Sequence, residues 1–371
     1  MTGHGAVTGE SARGVHRPAC AVPRQGMTGH TLPRIVTGDQ RSQLRALRET
    51  WPHVYALIDE ERALALATDG ERDDFGSAEN GGRGESYVDA QQAHPEARII
   101  GIRHLMALVV GPTGGDRPVV LDLLGGDGLL HRVCLRPDMP DATVVTCDAA
   151  SFMVARAWAA GVPAVWQRAQ RQVFRSGSVD GALLAYGSHH VPEPERQDVA
   201  DEAWRVLRPG GRFVLHDFAE GSPVATWFLD VVDKQSVTGH RYAHFTADQM
   251  RECLVRSGFC TVTTNWMFDP IVVTGTSKRA ARAALGRYLV QMYGLDKLVA
   301  AHGHEGASMV AFELARRIFR FDGIGNGMGD GMGDHVGECV VERLGPSEWR
   351  CVLPRFALVA VGRKPEPPGT A

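Results

Sequence analysis

The sequence predicts an α/β fold, a doubly wound and mostly parallel sheet with helices on both faces. Short apolar strand patterns alternate with helical patterns from residue 118 to residue 265, which is typical of parallel strands joined by crossover helices. Residues 119–130 (VVLDLLGGDGLL) combine a buried strand, three glycines within four positions and the start of a helix. Such a turn lets the backbone approach a ligand closely, and ligands of these sheets bind at the carboxyl ends of the strands.

The composition excludes several classes of partner. The net charge of the 371 residues is −3, so nothing favours nucleic acid or an anionic membrane. No apolar run approaches the roughly 18 residues of a membrane span, and residues 1–24 lack the apolar core of a secretory signal. The seven cysteines are scattered, without the close spacing of a zinc site, and indicate reduced thiols. We therefore expect a cytoplasmic protein with no nucleic-acid or membrane partner.

The changes in composition and periodicity along the chain predict six parts. They are a disordered leader (1–36), a helical N-terminal cap (37–117), the sheet core (118–265), a helical insertion (266–352), the last core strand (353–364) and a tail (365–371). Because Met-Thr-Gly-His occurs at Met1 and again at Met27, Met27 is an alternative start.

The cap is predicted to contain helices around a polar loop. A helical pattern begins at Asp39 and is split at Pro52, because proline breaks the hydrogen bonding of a helix. A glycine-rich loop follows at 69–84, and a second helix is predicted at 96–110. A helical segment of this kind permits a homodimer.

Each core strand is predicted from a short apolar run bounded by turn residues. The strands are expected at 119–123, 143–146, 164–167, 181–186, 212–215, 259–264 and 356–362. Helices are expected between them at 128–136, 151–160, 195–207 and 222–232, and after the capping box Thr246-Ala-Asp-Gln249. The insertion is expected to hold two helices, at 278–293 and 307–320, and the low-complexity loop 323–334.

Polar residues stand where successive strands end. The first strand ends at Gly126, Asp127 and Gly128, and the second ends at Asp148. A carboxylate at Asp148 can accept both hydroxyls of a ribose, and the helix that begins at Gly128 can bind an anionic group at its N-terminus. Strands four and five end in His189-His190 and His216-Asp217.

These motifs together resemble class I S-adenosylmethionine-dependent methyltransferases. The resemblance rests on Asp122-x-x-x-Gly126-x-Gly128, the acidic end of strand two, SVDGALL at 178–184, HHVP at 189–192 and LRPGGRFVL at 207–215. The Leu-Arg-Pro-Gly-Gly turn separates them from dinucleotide oxidoreductases, which seldom have it. The resemblance implies a Rossmann-like sheet with an antiparallel last strand, and S-adenosylmethionine as the cofactor.

The same resemblance implies a set of cofactor-binding residues. Two positions depart from the family pattern: Leu124 stands where its first glycine falls, and Arg168 stands where an acidic residue often follows strand three. The implied residues are Asp122, Gly125, Gly126, Gly128, Asp148, Ala169 and Gln170.

Four further segments are similar to a narrower group, the natural-product C-methyltransferases that methylate the ring of tyrosine or 3-hydroxykynurenine. They are GRGESY at 82–87, RIIGIRHL at 98–105, LHDF at 215–218 and MYGL at 292–295. This similarity implies carbon methylation of a small aromatic substrate in secondary metabolism, such as antibiotic biosynthesis. An O- or N-methyltransferase, an NAD(P)-dependent oxidoreductase and a non-catalytic partner subunit remain alternatives.

Ring methylation requires a general base, because a phenol ring carbon becomes nucleophilic when the hydroxyl beside it loses its proton. Histidine fits this role, since its pKa lies near neutral pH. The candidate catalytic residues are His190, His189, Asp217 and His216, and the candidate substrate-binding residues are Tyr87, Arg83, His240 and His244. Arg98 and Arg103 are further candidates for pairing with a substrate carboxylate.

The spacing of the histidines also raises a metal site. His240 and His244 are four residues apart, and His302 and His304 follow in the insertion. No carboxylate stands at a matching spacing, so the sequence predicts no metal site.

Overall fold

The computed structural model describes residues 39–66, 75–112, 117–321 and 337–367. The predicted leader (1–36) and the low-complexity loop (323–334) lie outside these residues, as do residues 69–74 of the predicted polar loop. Within the described ranges, no helix is long and apolar enough to span a membrane.

The core is a seven-stranded sheet in the order β3-β2-β1-β4-β5-β10-β6. The first five of these strands are parallel to their neighbours, and β10 lies antiparallel between β5 and β6. This arrangement confirms the predicted fold class. The strands are β1 (Val119–Asp122), β2 (Thr143–Asp148), β3 (Ala164–Trp166), β4 (Val179–Leu184), β5 (Leu207–Asp217), β6 (Cys260–Phe268), β7 (Ile271–Gly275), β8 (Val340–Gly345), β9 (Glu348–Leu353) and β10 (Phe356–Arg363).

Helices cover both faces of this sheet. They are α1 (Gln40–Thr50), α2 (Pro52–Tyr55), α3 (Glu60–Leu64), α4 (Gly84–Ala93), α5 (Ile99–Val110), α6 (Leu129–Cys134), α7 (Ser151–Ala159), α8 (Arg196–Val206), α9 (Pro223–Trp227), α10 (Asp233–Gln235), α11 (Ala247–Arg256), α12 (Lys278–Tyr293) and α13 (Asp296–Ile318). A π-helical turn, Phe228–Val232, joins α9 to α10.

Successive residues of β1 face opposite layers, as the pleat of a strand requires. Leu121 belongs to the apolar cluster that holds α1, and Val120 belongs to the cluster that holds α5. In the first layer Trp51 packs edge-on against Trp158 of α7, with 5.4 Å between ring centroids. The predicted N-terminal cap therefore supplies helices to both layers of the core.

The structure differs from the prediction at two helix boundaries and in the content of the insertion. The segment that ends the predicted polar loop is helical, because α4 begins at Gly84. The predicted helical insertion also contains a three-stranded antiparallel sheet, in the order β7-β9-β8. Helix α13 begins at Asp296, before the predicted start at 307, and is kinked at Gly303, whose φ is 68°.

Candidate active site

The turn after β1 has a backbone that only glycine adopts easily. Gly126 and Gly128 have φ values of 55° and 86°, in the left-handed region. A Cβ atom at Gly125 would lie 2.6 Å from Thr146 Cγ2 and 2.9 Å from Asp122 Oδ2. The turn therefore packs directly on the ends of β1 and β2.

Asp148, the last residue of β2, holds this turn in place. Its Oδ2 accepts a hydrogen bond of 2.8 Å from Gly126 N, and its Oδ1 accepts one of 2.8 Å from Ala150 N. Both bonds come from backbone amides, so the orientation of the carboxylate is set by the fold. Asp148 also lines the cavity described next, so its oxygens can accept hydrogen bonds from the hydroxyls of a ligand there.

A cavity of about 280 Å³ opens at the carboxyl ends of β1, β2, β3 and β4. Of the predicted cofactor residues, four line this cavity directly, and Asp122, Gly125 and Gly128 support the turn beside it. The four lining residues are Gly126, Asp148, Ala169 and Gln170. A glycine cradle, a fixed carboxylate and the aromatic ring of Trp166 fit a nucleoside with a charged amino-acid end.

Asp122 is buried at the end of β1, beneath the glycine turn. Burial raises the pKa of its carboxyl to about 7; the nearby charge of Asp148 adds to this effect and Arg98 opposes it. Among the described residues, no side chain or amide donates a hydrogen bond to this carboxylate. Such a carboxylate is suited to a cationic group of a ligand.

Four histidines and an aspartate converge beside the cavity. His189 Nδ1 lies 2.9 Å from Asp217 Oδ1, and His244 Nδ1 lies 3.4 Å from the same oxygen. His189 Nε2 lies 3.2 Å from His240 Nε2. The ring of His190 lies 4.6 Å from that of His189, between centroids, and lines the cavity. We call these five residues the histidine cluster.

Burial favours the neutral imidazole in three members of the cluster, His189, His190 and His240. Burial lowers the pKa of His189 and lowers that of His190 well below its usual value. The pKa of His240 falls to about 2, again chiefly through burial. Burial acts to raise the pKa of Asp217, but its bonds with His189 and the proximity of His244 hold it well below the usual range.

A second, smaller cavity of about 30 Å³ adjoins the first, and the two share Phe75, Tyr87, Tyr186 and His190. Most of its wall is aromatic, with arginines among the rings. Besides the shared residues, it is lined by Arg83, Arg98, His189, Phe218, Phe228, Tyr288, Met292, Tyr293 and Arg355. We call it the aromatic chamber.

Arg98 is a buried cation in the wall of the aromatic chamber. Its guanidinium lies 4.5 Å from the centre of the Tyr186 ring and donates a hydrogen bond of 3.2 Å to Tyr87 Oη. Its Nε is buried without a partner, and no carboxylate among the described residues pairs with it. Arg355, by contrast, is paired with Asp269 at 2.6 Å.

His216 is the one predicted catalytic residue that lies apart from the cluster. It is fully buried, its Nδ1 accepts a hydrogen bond of 3.3 Å from Tyr186 N, and it lines neither cavity.

Of the predicted substrate residues, Tyr87 lines both cavities and Arg83 lines the chamber, where its side chain donates to Met292 O at 2.8 Å. Arg103 pairs with Asp138 on the surface.

Comparison with known proteins identifies the domain around the cavity. Residues 121–215 match the family described as "Methyltransferase domain". The chain is 31% identical over 126 residues to the ubiquinone/menaquinone biosynthesis C-methyltransferase UbiE of Bradyrhizobium diazoefficiens, covering 32% of this chain and 49% of that protein. The chain contains an S-adenosylmethionine-dependent methyltransferase domain.

Other relatives of the methyltransferase domain have different substrates in their names. The arsenite methyltransferase of Halobacterium salinarum is 31% identical over 150 residues, which are 38% of this chain and 37% of that protein. The chain thus spans half or less of these curated relatives. A structure of Haemonchus contortus phosphoethanolamine N-methyltransferase 2, in complex with phosphomonomethylethanolamine and S-adenosylhomocysteine, aligns with a TM-score of 0.46 and 14% identity, over 75% of this chain and 57% of that one.

The family match at residues 121–215 confirms the predicted cofactor, S-adenosylmethionine, and sets aside the oxidoreductase alternative. Sequence reasoning missed Trp166 in the cofactor cavity and Tyr186 and Tyr288 in the aromatic chamber. Trp166 and Tyr186 each lie at or just after the end of a strand, which is a signal that could have found them. Tyr288 lies inside α12, where its ring has the spacing of an ordinary core residue.

Proposed function

We propose that this chain transfers the methyl group of S-adenosylmethionine to a ring carbon of a small phenolic acid or aromatic amino acid. The observation that carries the proposal is the aromatic chamber, which adjoins the cofactor cavity and contains a buried arginine, Arg98, that forms no ion pair with a carboxylate of the described residues. Aromatic side chains favour a flat ring as ligand, and an unpaired guanidinium favours a carboxylate. The word C-methyltransferase in the name of the Bradyrhizobium relative also supports transfer to carbon.

The cofactor residues act by position. S-adenosylmethionine, when bound, supplies an electrophilic methyl group on a sulfonium sulfur. Asp148 would accept the ribose hydroxyls, and the turn at Gly126 would receive the amino-acid end above Asp122. Ala169 and Gln170, with Trp166 beside them, would border the adenine.

The histidine cluster would take the proton of the acceptor's hydroxyl. His190 is the member that lines both cavities, and His189 lies behind it, held by Asp217. Loss of the proton raises the electron density of the ring carbon beside the oxygen. A bond from that carbon to the methyl group then forms as the bond from sulfur to methyl breaks, and the ring carbon finally releases its own proton.

The chamber is smaller than an aromatic ring requires, since a cavity that holds benzene has a volume of about 150 Å³. Substrate binding therefore requires side chains at the border between the two cavities to move. Phe75 and Tyr87, whose ring centroids are 5.3 Å apart, are the border residues on the cap side. We expect S-adenosylhomocysteine to quench the fluorescence of Trp166, which lines the cofactor cavity. Addition of substrate should change this quenching if the border side chains move.

Two experiments test the proposal. Calorimetry should detect binding of S-adenosylhomocysteine, and Asp148→Asn should weaken that binding by at least about tenfold. The substitution replaces the negatively charged carboxylate, which two backbone amides orient, with a neutral amide that forms weaker hydrogen bonds to the ligand. A screen of tyrosine, 3-hydroxykynurenine and phenolic acids with labelled cofactor should give a product in which one aromatic proton signal is lost. An O-methyl or N-methyl signal with the aromatic proton count unchanged would favour the alternative enzymes.

Arg98→Met separates the role of the chamber from that of the cofactor site. The variant keeps most of the side-chain volume and removes the charge, so KM should rise for a phenolic acid and stay the same for the matching phenol without a carboxylate. Binding of S-adenosylhomocysteine should be retained, apart from the pH-dependent change that follows when Arg98 no longer lowers the pKa of Asp122. Equal effects on both substrates would contradict the carboxylate contact.

A further inference from the structure

The hydrogen bonds of Asp217 determine which nitrogen of His189 carries a proton. Its carboxylate is fully buried, and its two oxygens lie 2.9 and 3.0 Å from His189 Nδ1. An ionised carboxylate only accepts hydrogen bonds, so Nδ1 is the protonated nitrogen. His189 Nε2 therefore presents a lone pair on the opposite side of the ring.

That lone pair points at a second imidazole. His240 Nε2 lies 3.2 Å from His189 Nε2, and His240 Nδ1 is buried without a partner among the described residues. If His240 donates through Nε2, its own buried lone pair on Nδ1 has no donor. If it does not donate, two lone pairs face each other. In the second state, a cation between the two Nε2 atoms would be bound by both lone pairs.

The spacing matches a metal centre. In tetrahedral coordination with metal–nitrogen bonds of about 2.0–2.1 Å, neighbouring nitrogens are about 3.3 Å apart. A ring nitrogen of His190 completes the set, and the three nitrogens of His189, His190 and His240 all lie within 4.8 Å of one another.

We propose that His189, His190 and His240 bind a divalent first-row transition metal ion, through one ring nitrogen each. Three neutral imidazoles favour zinc, iron or nickel over magnesium or calcium. A carboxylate behind a liganding histidine is the usual support of such a site, and Asp217 has that position behind His189. His190 lines both cavities, so a fourth position would face the substrate.

A rival set shares His189 with this site. His189, Asp217 and His244 also converge. However, the Asp217 oxygens already accept hydrogen bonds from Ser188 Oγ at 2.9 Å and from Phe218 N at 2.6 Å. These bonds and the contacts with two histidines occupy its lone pairs, so the geometry favours Asp217 as a support rather than a ligand.

This inference deepens the proposed function, and the catalytic role given to the ion rests on that function. An ion held by the three histidines would have a fourth coordination position open, where the acceptor's hydroxyl oxygen would bind. The ion would lower the pKa of that hydroxyl, as bound metals do for oxygen ligands. The proton would then pass to water at the mouth of the cavity, and the three imidazoles would serve as ligands instead of accepting it.

The test measures metal binding without reference to turnover. Untagged full-length protein is treated with EDTA, freed of it and titrated with zinc chloride by calorimetry and with cobalt chloride by visible spectroscopy. We expect one ion per chain and the absorption bands of four-coordinate cobalt. His240→Gln should lower the zinc affinity by more than about 100-fold, since loss of a residue behind a ligand alone costs about 10–100-fold.

Two further variants serve as controls. His304 is exposed on α13, so His304→Gln should leave zinc binding unchanged, which tests whether this surface histidine captures the ion. His244→Gln distinguishes the proposed site from the rival set, because His244 belongs to the rival set alone. Zinc binding should be retained in this variant. S-adenosylhomocysteine binding that is unchanged in His240→Gln would show that the variant is folded.

The outcomes separate this inference from the proposed function. Absence of a stoichiometric ion in the wild type, or loss of binding in His244→Gln with retention in His240→Gln, would overturn the proposed site. Methyl transfer that persists in excess EDTA would overturn the catalytic part and leave the proposed function intact. Failure to bind S-adenosylhomocysteine would instead overturn the proposed function while the metal measurement stands.

Discussion

Replacement of Asp122 by asparagine tests how the fold supports the cofactor turn. Burial raises the pKa of Asp122 to about 7, Asp148 raises it further and Arg98 opposes both. The other titratable groups near it are the thiols of Cys134 and Cys147, whose own pKa values are raised by burial and by this carboxylate. In the unfolded chain an aspartate ionises near pH 3.9.

The sign of the effect follows from proton binding. Between about pH 4 and pH 7 the folded chain keeps a proton that the unfolded chain has released, so stability falls as pH rises through this window and stays low above it. A difference of about three pH units corresponds to about 4 kcal/mol at pH 8, of which about 1.5 kcal/mol is already present at pH 5. Asp122→Asn removes the charge at every pH, so it should stabilise the fold by up to these amounts.

Urea unfolding at pH 5 and pH 8, followed by tryptophan fluorescence without cofactor, measures the change. Asp127→Asn is the matched control in the same turn. Its carboxylate pairs with Arg132 at 2.8 Å, so that substitution should not stabilise the chain. A lower stability of Asp122→Asn at pH 8, or an equal gain at both pH values, would refute the reasoning.

The same carboxylate should couple cofactor binding to pH. About half of the Asp122 carboxyls are protonated at pH 7, so a cationic ligand group bound beside them should release up to about half a proton. Calorimetry of S-adenosylhomocysteine binding in buffers of different ionisation enthalpy measures that release. Asp122→Asn should abolish the buffer dependence and weaken binding.

Three further predictions concern the free energy of unfolding, measured by urea titration. A Cβ at Gly101 would lie 1.9 Å from Asp269 Oδ1, so Gly101→Ala should destabilise the chain, whereas Gly306→Ala, in a more open helical position, should not. Arg355→Met should cost about 3–5 kcal/mol because it leaves the buried charge of Asp269 unpaired, and adding Asp269→Asn should recover part of the loss. Thr246→Ala should cost about 1 kcal/mol by removing the capping box. Wild-type stability in Gly101→Ala, Arg355→Met or Thr246→Ala would contradict the contact concerned.

The sheet and its cofactor cavity could be predicted because their signals are local. Each core strand is a short apolar run, and the glycine turn and Asp148 lie at strand ends within a few dozen residues of each other. The capping box at Thr246 likewise depends on two residues that are three apart, and it was confirmed.

The histidine cluster and the aromatic chamber depend on contacts between distant segments. His240 lies in a loop without periodicity and meets His189 across 51 positions of sequence. In the sequence, Arg98 has the pattern of a solvated charge, and it is buried in the structure among the rings of Tyr87, Tyr186 and Tyr288. The small sheet of the insertion was missed because β7 is separated from β8 and β9 by two helices.

The position of β10 has a consequence for the order of folding. This strand fills the gap between β5 and β6, although residues 269–355 separate it in sequence from both. Until residues 356–363 are available, β5 and β6 each leave an unpaired edge that can pair with another chain. During synthesis the parallel half of the sheet can form early, but the last step closes a long loop, so it should be slow and prone to aggregation. A chain that ends before residue 356 should therefore accumulate as oligomers rather than as a folded core.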